Sequence, residues 1–292
     1  IARYLNKKWA VVSVGRVMTC VLGMVVRRER EIREFVKTPF YRVLSTNSFE
    51  GSSFDGEWRA VSGSKYFESK DLYKENGFKE KEKAEELILS LRSEEPVLAE
   101  IETVEKKKEN KNPPLLFNLA ELQNDCSKLF KISPDETLRI VQELYEKKLT
   151  TYPRTDARVL STAVAKEINK NIQGLRSYEI GCPYAEEILK AESYKKIVKS
   201  RYVNDKQITD HYAIIPTGQL SELSSLNELQ RNVFDLIARR FLSIFYPPAE
   251  YQTVKLVVLI DRERLFAGTK ALKARGYLEI AGKQEFLPQE RE

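Results

Sequence analysis

The sequence has 292 residues, of which 42% are hydrophobic and 32% are charged. This length is enough for two or more domains, and the composition is typical of soluble, charge-rich globular proteins. No apolar run approaches the roughly 20 residues that span a bilayer, and no signal peptide is visible. The net charge of +6 favours an anionic partner but does not locate the positive surface.

Cysteine and histidine are scarce in this chain. Cys20, Cys126 and Cys182 are widely spaced, and His211 is the only histidine. A zinc site built from this chain is therefore not expected, and no metal ligands are predicted. Unpaired cysteines fit a reducing compartment, so we expect a cytoplasmic protein. Because the chain begins at Ile1 rather than Met, we expect its natural N-terminus to lie further upstream.

Residues 1–38 are predicted to be mostly helical. Apolar side chains at helical spacing form one face and basic residues occupy the other; the apolar set is Val21, Leu22, Val25, Val26, Ile32 and Phe35. Gly15 and Arg16 precede this helix, which would place an arginine and free backbone N–H groups where a phosphate can bind. The alternative is a glycine turn with a solvated arginine.

Residues 39–112 are predicted to be rich in β-structure. A strand-like run begins near Phe40, residues 57–61 can pair with it, and residues 79–91 have the periodicity of an amphipathic helix. Residues 97–104 are predicted as another strand. Residues 106–114 are interpreted as a charged linker that ends at proline, with a solvated lysine run.

Residues 113–148 carry two helix starts. Asn118 and Glu121 are predicted as an N-cap and its partner, and Ser133-Pro134-Asp135-Glu136 matches a capping box with proline at the first helical position. A strand over Leu149–Arg154 is predicted to follow. Two short helices and a strand favour a winged-helix-like unit that exposes the strand at the surface.

The segment Leu149–Ser161 concentrates reactive residue types. It places Tyr152, Arg154, Thr155, Asp156 and Arg158 within seven residues. A phenol, with a reference pKa of about 10, is a poor nucleophile until a nearby cation favours its ionised form. If the segment is extended, its period of two puts the tyrosine and Arg154 on one face, which suits attack on a phosphodiester. The alternative is a half-buried tyrosine with solvated arginines.

A second polar stretch surrounds the single histidine. Asp210 is placed to fix the tautomer of His211, and residues 213–216 are predicted as a buried strand. A protonated imidazole can hold a phosphate oxygen, although a lone histidine is more often structural. Further along, residues 226–245 are predicted as a long helix that Pro247 and Pro248 end, and residues 251–260 as a buried strand.

Three of these blocks, in this order, resemble the type IA DNA topoisomerases. They are Ser13–Thr19 with the basic helix after it, the tyrosine block, and Asp210–Thr217. With a proline directly after the tyrosine, this block resembles that of the topoisomerase III branch. The resemblance extends from about residue 1 to about residue 280. The family's first block usually reads Gly-Arg-Val-Gln-Thr-Pro, whereas this chain has Met18 and Cys20 in place of the glutamine and the proline.

The resemblance implies an α+β multidomain fold, the arch or toroid core of that family. It contains a winged-helix-like helical domain that carries the tyrosine and a β-rich hinge module. The implied segments are a helical DNA-gate segment at 1–38, the first part of the hinge module at 39–112, the tyrosine domain at 113–243, returning hinge strands at 244–270, and the start of a truncated segment at 271–292.

The resemblance also implies a reaction. Tyr152 would be the nucleophile that forms a 5′-phosphotyrosine ester without ATP, with Arg154 and His211 stabilising the phosphorus charge. The implied DNA-binding residues are Gly15, Arg16, Thr155, Asp156 and Arg158. A monomer that acts on single-stranded DNA, away from membranes, is expected.

Two further expectations concern what this chain holds. The family needs Mg²⁺, which an N-terminal Toprim domain holds outside this chain, so the chain alone is expected to be inactive. The alternative function is a non-catalytic module that binds single-stranded DNA, and a covalent protein–DNA adduct distinguishes the two.

Overall fold

The computed structural model of the protein describes residues 15–93 and 95–281. Within these residues the chain forms both helices and strands, which confirms the predicted α+β class. The α-helices are α1 Arg16–Arg33, α2 Lys81–Leu91, α3 Leu119–Phe130, α4 Pro134–Glu146, α5 Thr162–Glu167, α6 Asn169–Gly174, α7 Cys182–Ala191, α8 Glu228–Ser243 and α9 Leu278–Ala281. The strands are β1 Leu44–Phe49, β2 Ser52–Arg59, β3 Leu72–Lys74, β4 Gly77–Phe78, β5 Glu100–Lys111, β6 Ala249–Ile260 and β7 Glu263–Ala274.

The chain divides into two compact units. The first contains the residues up to Thr103 together with Leu256–Ala267, and the second contains Val104–Lys255 and the residues from Gly268 onward. Both boundaries of the inserted piece fall within the long strands β6 and β7, so single strands contribute residues to both units. The predicted division into five segments remains a prediction.

The strands form one larger and one smaller sheet. The five-stranded sheet has the order β1-β2-β7-β6-β5, and β3 pairs with β4. Strand β1 runs antiparallel to β2 with Leu44 opposite Glu57, so the predicted pairing of residues 57–61 with the preceding run is confirmed for its first residues.

Aromatic stacking forms the core of the first unit. Trp58 is fully buried and stacks on Phe78 with 4.9 Å between ring centroids, and Tyr66 meets the Phe78 ring edge-on at 4.9 Å. The Trp58 indole N–H donates to Glu263 Oε2 at 2.6 Å, and Glu263 Oε1 accepts from the Lys65 N–H at 2.8 Å. This buried carboxylate therefore joins β7 to β2 and to the turn that follows β2.

The predicted helix at the start of the chain is confirmed over Arg16–Arg33, while residues 1–14 lie outside the described residues. Gly15 is its N-cap and no residue of α1 is buried. The apolar face that the periodicity predicts is thus present but exposed, with Leu22, Ile32 and Phe35 each more than half accessible. Residues 35–38 are not helical.

The predicted boundary between strand and linker after α2 is wrong. The strand β5 begins at Glu100 and continues through Lys111, so it includes most of the residues interpreted as a linker. Every residue of β5 is exposed, as expected for the lysine run, and Lys270 of β7 pairs with Glu109 at 2.7 Å. Cross-strand ion pairs of this kind let a highly charged sequence form an edge strand, which alternation of apolar residues does not reveal.

The helix starts of the second unit are as predicted. The Asn118 side chain accepts from the Glu121 N–H, and the Ser133 side chain accepts from the Glu136 N–H with proline at the start of α4. Helices α3, α4 and α8 pack around one core, where Leu122, Leu144 and Phe241 are fully buried. Burial raises the pKa of the Cys126 thiol in this core to about 12, so that thiol stays protonated and unreactive.

Two predicted strands of the second unit are not regular strands. Leu149–Arg154 and residues 213–216 form no regular ladder: an isolated bridge joins Thr150 to Pro216, and another joins Ile214 to Phe117. The predicted burial of residues 213–216 is confirmed. The predicted strand at residues 251–260 is confirmed as β6, but its predicted burial is wrong, because only Val258 of these residues is buried. Strand β7 continues to Ala274, beyond the predicted return strands.

Among the described residues, no helix combines the length and the apolar character that crossing a membrane requires.

The buried carboxylate of Glu263 generates a stability prediction. Glu263→Ala leaves the indole N–H of Trp58 buried without an acceptor, so we expect the free energy of unfolding to fall by about 1–3 kcal/mol. Urea unfolding followed by circular dichroism measures it. The control is Glu102→Ala, which breaks only the partly exposed pair with Arg264 and should cost no more than about 1 kcal/mol. Equal losses in the two variants would contradict the role of Glu263.

Candidate active site

The candidate nucleophile follows directly after α4. Lys148 ends the helix in a left-handed conformation, with φ of 59°, and its N–H donates to the Tyr145 carbonyl at 2.8 Å. Leu149 and Thr150 are then buried almost completely. The chain is therefore anchored in the core two residues before Tyr152, whose ring is only partly buried.

Hydrogen bonds fix the tyrosine segment against the segment that carries the histidine. The Thr151 N–H donates to the Ile215 carbonyl, and the Thr217 N–H donates to the Leu149 carbonyl, each at 3.0 Å. The Thr151 hydroxyl donates to the Ala213 carbonyl and accepts from the Ile215 N–H, again at 3.0 Å. The threonine side chain thus replaces part of the pairing that a regular strand would provide.

The loop after the tyrosine is held in the same way. The Thr155 hydroxyl donates to the His211 carbonyl at 2.7 Å and accepts from the Ala157 N–H at 3.1 Å. Asn118 donates its side-chain N–H to the Asp156 carbonyl at 3.1 Å. Both residues hold the loop, Thr155 through its side chain and Asp156 through its backbone, while the Asp156 side chain is exposed.

Arg158 is engaged in the fold. Its guanidinium lies 3.2 Å from the Glu121 carboxylate and donates to the Leu116 carbonyl at 3.2 Å. The side chain is 30% exposed. These contacts link the loop to α3, so the arginine predicted to bind DNA already has two protein partners.

Tyr152 lies between two other rings. The Tyr145 ring meets it edge-on with 5.4 Å between centroids, and the His211 ring lies 4.4 Å away at an angle of 44°. Tyr152 and His211, which the resemblance implies act on the same phosphate, therefore lie side by side. Residues from 145–152 and from 211–219 line an open cavity of about 380 Å³ that includes all three rings. No hydrogen bond to the Tyr152 hydroxyl is found within the described chain.

Arg154 does not share a face with the tyrosine as the extended model predicted. The Thr155 N–H donates to the Pro153 carbonyl at 3.0 Å, which closes a three-residue turn centred on Arg154. The side chain is exposed, has no ion pair with any described residue, and does not line the cavity. The period-two argument fails because the backbone is not extended beyond the tyrosine.

The residues around the histidine differ in part from expectation. His211 is exposed, and no hydrogen bond from its ring to Asp210 is found in the described chain, so the predicted tautomer lock is not observed. Burial raises the pKa of the neighbouring Tyr212, which lines the cavity as a protonated phenol. Asn171 of α6 donates to the Pro216 carbonyl at 2.9 Å and supports the segment from behind.

Gly15 and Arg16 lie in the first unit, at the start of α1. Gly15 is extended, with φ of −145°, and Arg16 is exposed. No ion pair of Arg16 is found among the described residues. The phosphate site at this helix start remains a prediction.

The magnesium ion that the family implies has no set of ligands in this structure. Among residues 15–93 and 95–281, no three acidic, histidine or cysteine side chains approach closely enough to hold a metal ion. The described residues therefore do not fit a resident magnesium ion.

Sequence reasoning missed two residues of this cavity. Tyr145 of α4 was not singled out and is 40% exposed, whereas Ile140 of the same helix is buried. Lys148 was not singled out, although a lysine directly after a helix, where glycine is favoured, is a readable signal. Both line the cavity, although Lys148 lies beyond the last residue of α4.

Comparison with protein families supports the resemblance that the three blocks carry. A family model described as DNA topoisomerase matches residues 1–291. The chain is 34% identical over 282 residues to DNA topoisomerase 3 of Bacillus subtilis and 32% identical over 282 residues to that of Bacillus licheniformis. Each match covers 95% of this chain and 36% of the relative, so the chain spans about a third of their length.

A solved structure shares the fold. Full-length topoisomerase I of Thermotoga maritima matches with a TM-score of 0.61 and 22% sequence identity, over 94% of this chain and 41% of that one. This likeness shows a shared α+β architecture. The family match over almost the whole sequence establishes that the chain belongs to the type IA DNA topoisomerase family.

Proposed function

We propose that this chain is the tyrosine-bearing part of an enzyme that cuts and reseals one strand of DNA. The observation that carries the proposal is the placement of Tyr152 in an open cavity, 4.4 Å from the ring of the only histidine. Family membership supports the reaction class, and the absence of a hydrogen-bond partner for the phenol within the described chain leaves its oxygen available for attack.

The proposed reaction is a transesterification. The Tyr152 oxygen attacks the phosphorus of a phosphodiester, its proton leaves, and a bond forms between the phenol oxygen and phosphorus. The bond to the 3′ oxygen breaks, and that oxygen takes up a proton to become a 3′-hydroxyl. The 5′ side stays on the protein as a phosphotyrosine ester. Attack by the 3′-hydroxyl reverses the step, so resealing needs no nucleotide.

Charge on the phosphorus oxygens must be stabilised as the bonds change. His211 is placed for this role because its ring lies against the nucleophile. Arg154 would serve from the turn after the tyrosine, where its exposed guanidinium is free to swing toward a bound phosphate. Thr155 and Asp156 would hold the loop, and Arg158 would tie it to α3.

The proposal also includes the roles of the two units and the kind of substrate. The second unit would be the winged-helix-like domain that presents the tyrosine, and the five-stranded sheet would belong to the hinge module of an arch. DNA with single-stranded segments is the proposed substrate. Since the described residues do not fit magnesium, no step above is assigned to a metal ion.

Removing the phenol oxygen tests the nucleophile. In the complete protein, we expect Tyr152→Phe to abolish both the covalent adduct and relaxation of supercoiled DNA, while binding to single strands survives because the ring is kept. Tyr194→Phe removes one phenol oxygen from the same unit, outside the cavity, and should leave activity unchanged. Adduct is detected on denaturing gels with end-labelled oligonucleotide.

Two outcomes would count against the assignment. Relaxation well above background in Tyr152→Phe would show that another group attacks. No adduct from the unaltered protein, with single strands still bound, would favour the non-catalytic binding module.

The chain alone is expected to bind DNA without cutting it. Loss of a single preorganised electrostatic group commonly lowers an enzyme's rate by roughly 10²- to 10³-fold, and the described residues hold neither a metal cluster nor a carboxylate in the cavity. The purified 292-residue chain is incubated with labelled single-stranded oligonucleotide and Mg²⁺, then denatured. Adduct at a rate near that of the complete protein would place the missing groups within these residues.

Substitutions of Arg16 and Arg158, the two arginines predicted to bind DNA, should change the salt dependence of binding by different amounts. We expect Arg16→Ala to flatten the log–log dependence of single-strand affinity on salt by about 0.7, the value for one phosphate contact. Arg158→Ala should flatten it less and lower thermal stability, since it also removes the Glu121 and Leu116 contacts. Arg176→Ala is the control. Salt slopes that do not differ between Arg16→Ala and the unaltered chain would remove α1 from the interface.

A further inference from the structure

The cavity around Tyr152 is lined by a positively charged residue and by no negatively charged one. Nine residues line it, none of them is acidic, and Lys148 is the only one that carries a permanent charge. Arg154, the cation nearest to Tyr152 in the sequence, is not among them. The positive charge that shares the cavity with the phenol therefore comes from the end of α4.

The backbone of Lys148 is fixed while its side chain is exposed. Its N–H donates to the Tyr145 carbonyl at 2.8 Å, and its own carbonyl accepts from the Thr217 hydroxyl. No ion pair or hydrogen bond of its amine is found within the described chain. The adjacent Lys147, by contrast, donates to the Ser225 hydroxyl at 2.7 Å. Only the second of these two lysines offers its amine to the cavity.

Tyr145 provides an aromatic surface in the same cavity as Lys148. It precedes Lys148 by three residues, lines the same cavity, and is 40% exposed although its edge contacts Tyr152. An exposed ring and an ammonium that share a cavity are suited to a nucleotide, because the ring can stack on a base while the amine holds a phosphate. A free phosphate would use the amine alone.

We propose that Lys148 and Tyr145 form a nucleotide subsite that holds the DNA strand beside the phosphate that Tyr152 attacks. This proposal rests on the proposed function for the identity of its ligand. The amine binds a phosphate that flanks the reacting one, and the strand is thereby positioned before the chemical step. Arg154 and His211 remain available for the reacting phosphate itself.

The left-handed backbone conformation of Lys148 allows a substitution that removes its side chain without straining the backbone. Glycine accepts a positive φ more readily than lysine, so Lys148→Gly removes the amine without straining the backbone. Lys131 ends α3 with a similar φ of 58°, is exposed, and lies outside the cavity. Lys131→Gly therefore makes the same change of residue in the same conformation, and Lys148→Arg retains the charge.

The first measurement is single-strand binding by the 292-residue chain across a series of salt concentrations, followed by fluorescence anisotropy of a labelled oligonucleotide. We expect Lys148→Gly to weaken binding and to flatten the log–log salt slope by about 0.7, as for loss of one phosphate contact. Lys131→Gly and Lys148→Arg should keep the slope of the unaltered chain. An unchanged slope in Lys148→Gly, with melting temperature maintained, overturns the subsite.

The base-stacking part has its own test. Tyr145→Leu removes the aromatic face and keeps an apolar side chain, so we expect weaker binding with an unchanged salt slope. Inorganic phosphate at matched ionic strength should not displace the oligonucleotide. If phosphate displaces it from the unaltered chain and not from Lys148→Gly, the amine is a free-anion site, and the nucleotide subsite is overturned.

The adduct assay in the complete protein separates this proposal from the proposed function. At saturating DNA, Lys148→Gly should form adduct at the unaltered rate, with a several-fold higher half-saturating concentration. An unaltered rate of adduct formation together with an unchanged half-saturating DNA concentration overturns the subsite and leaves the proposed function intact. If the unaltered protein forms no adduct, the nucleophile assignment fails, while a changed salt slope in Lys148→Gly still supports a strand-binding amine.

Discussion

Hydrogen bonds between the Tyr152 segment and the His211 segment determine the geometry of the site. The Thr151 hydroxyl both donates to the Ala213 carbonyl and accepts from the Ile215 N–H, across 62 and 64 residues of sequence. Closing such a loop costs conformational entropy, which the fully buried side chains between the two segments offset. The site therefore depends on the core of the second unit: a change that loosens helices α5 to α7 would separate the two rings before it touched either.

This dependence explains which features the sequence could predict. The caps at Asn118 and Ser133 and the helices after them are local, since each is set by residues within one turn. The strand at Leu149–Arg154 required a partner far away in the sequence, and its pairing uses a threonine side chain and isolated bridges. The β5 strand was misplaced for a related reason, because ion pairs such as Lys270 to Glu109 replace apolar alternation as its support.

The site residues show the same limit. Sequence proximity put Arg154 beside Tyr152, yet a hydrogen bond from Thr155 to Pro153 turns the chain at that point. Lys148 is four residues before the tyrosine, has a left-handed backbone conformation just after α4, and lines the cavity. Cations near a reactive group are therefore identified from the turns between them more reliably than from their separation in sequence.

The residues that line the cavity include a lysine, a histidine and three tyrosines but no carboxylate. Lys148 and His211 are suited to an anion, and the absence of a carboxylate among the lining residues means that a DNA phosphate meets no like charge there. Raised by burial, the pKa of Tyr212 keeps that phenol protonated. In the proposed reaction this cavity would receive the phosphodiester beside Tyr152, and any carboxylate that takes part would come from outside the lining residues.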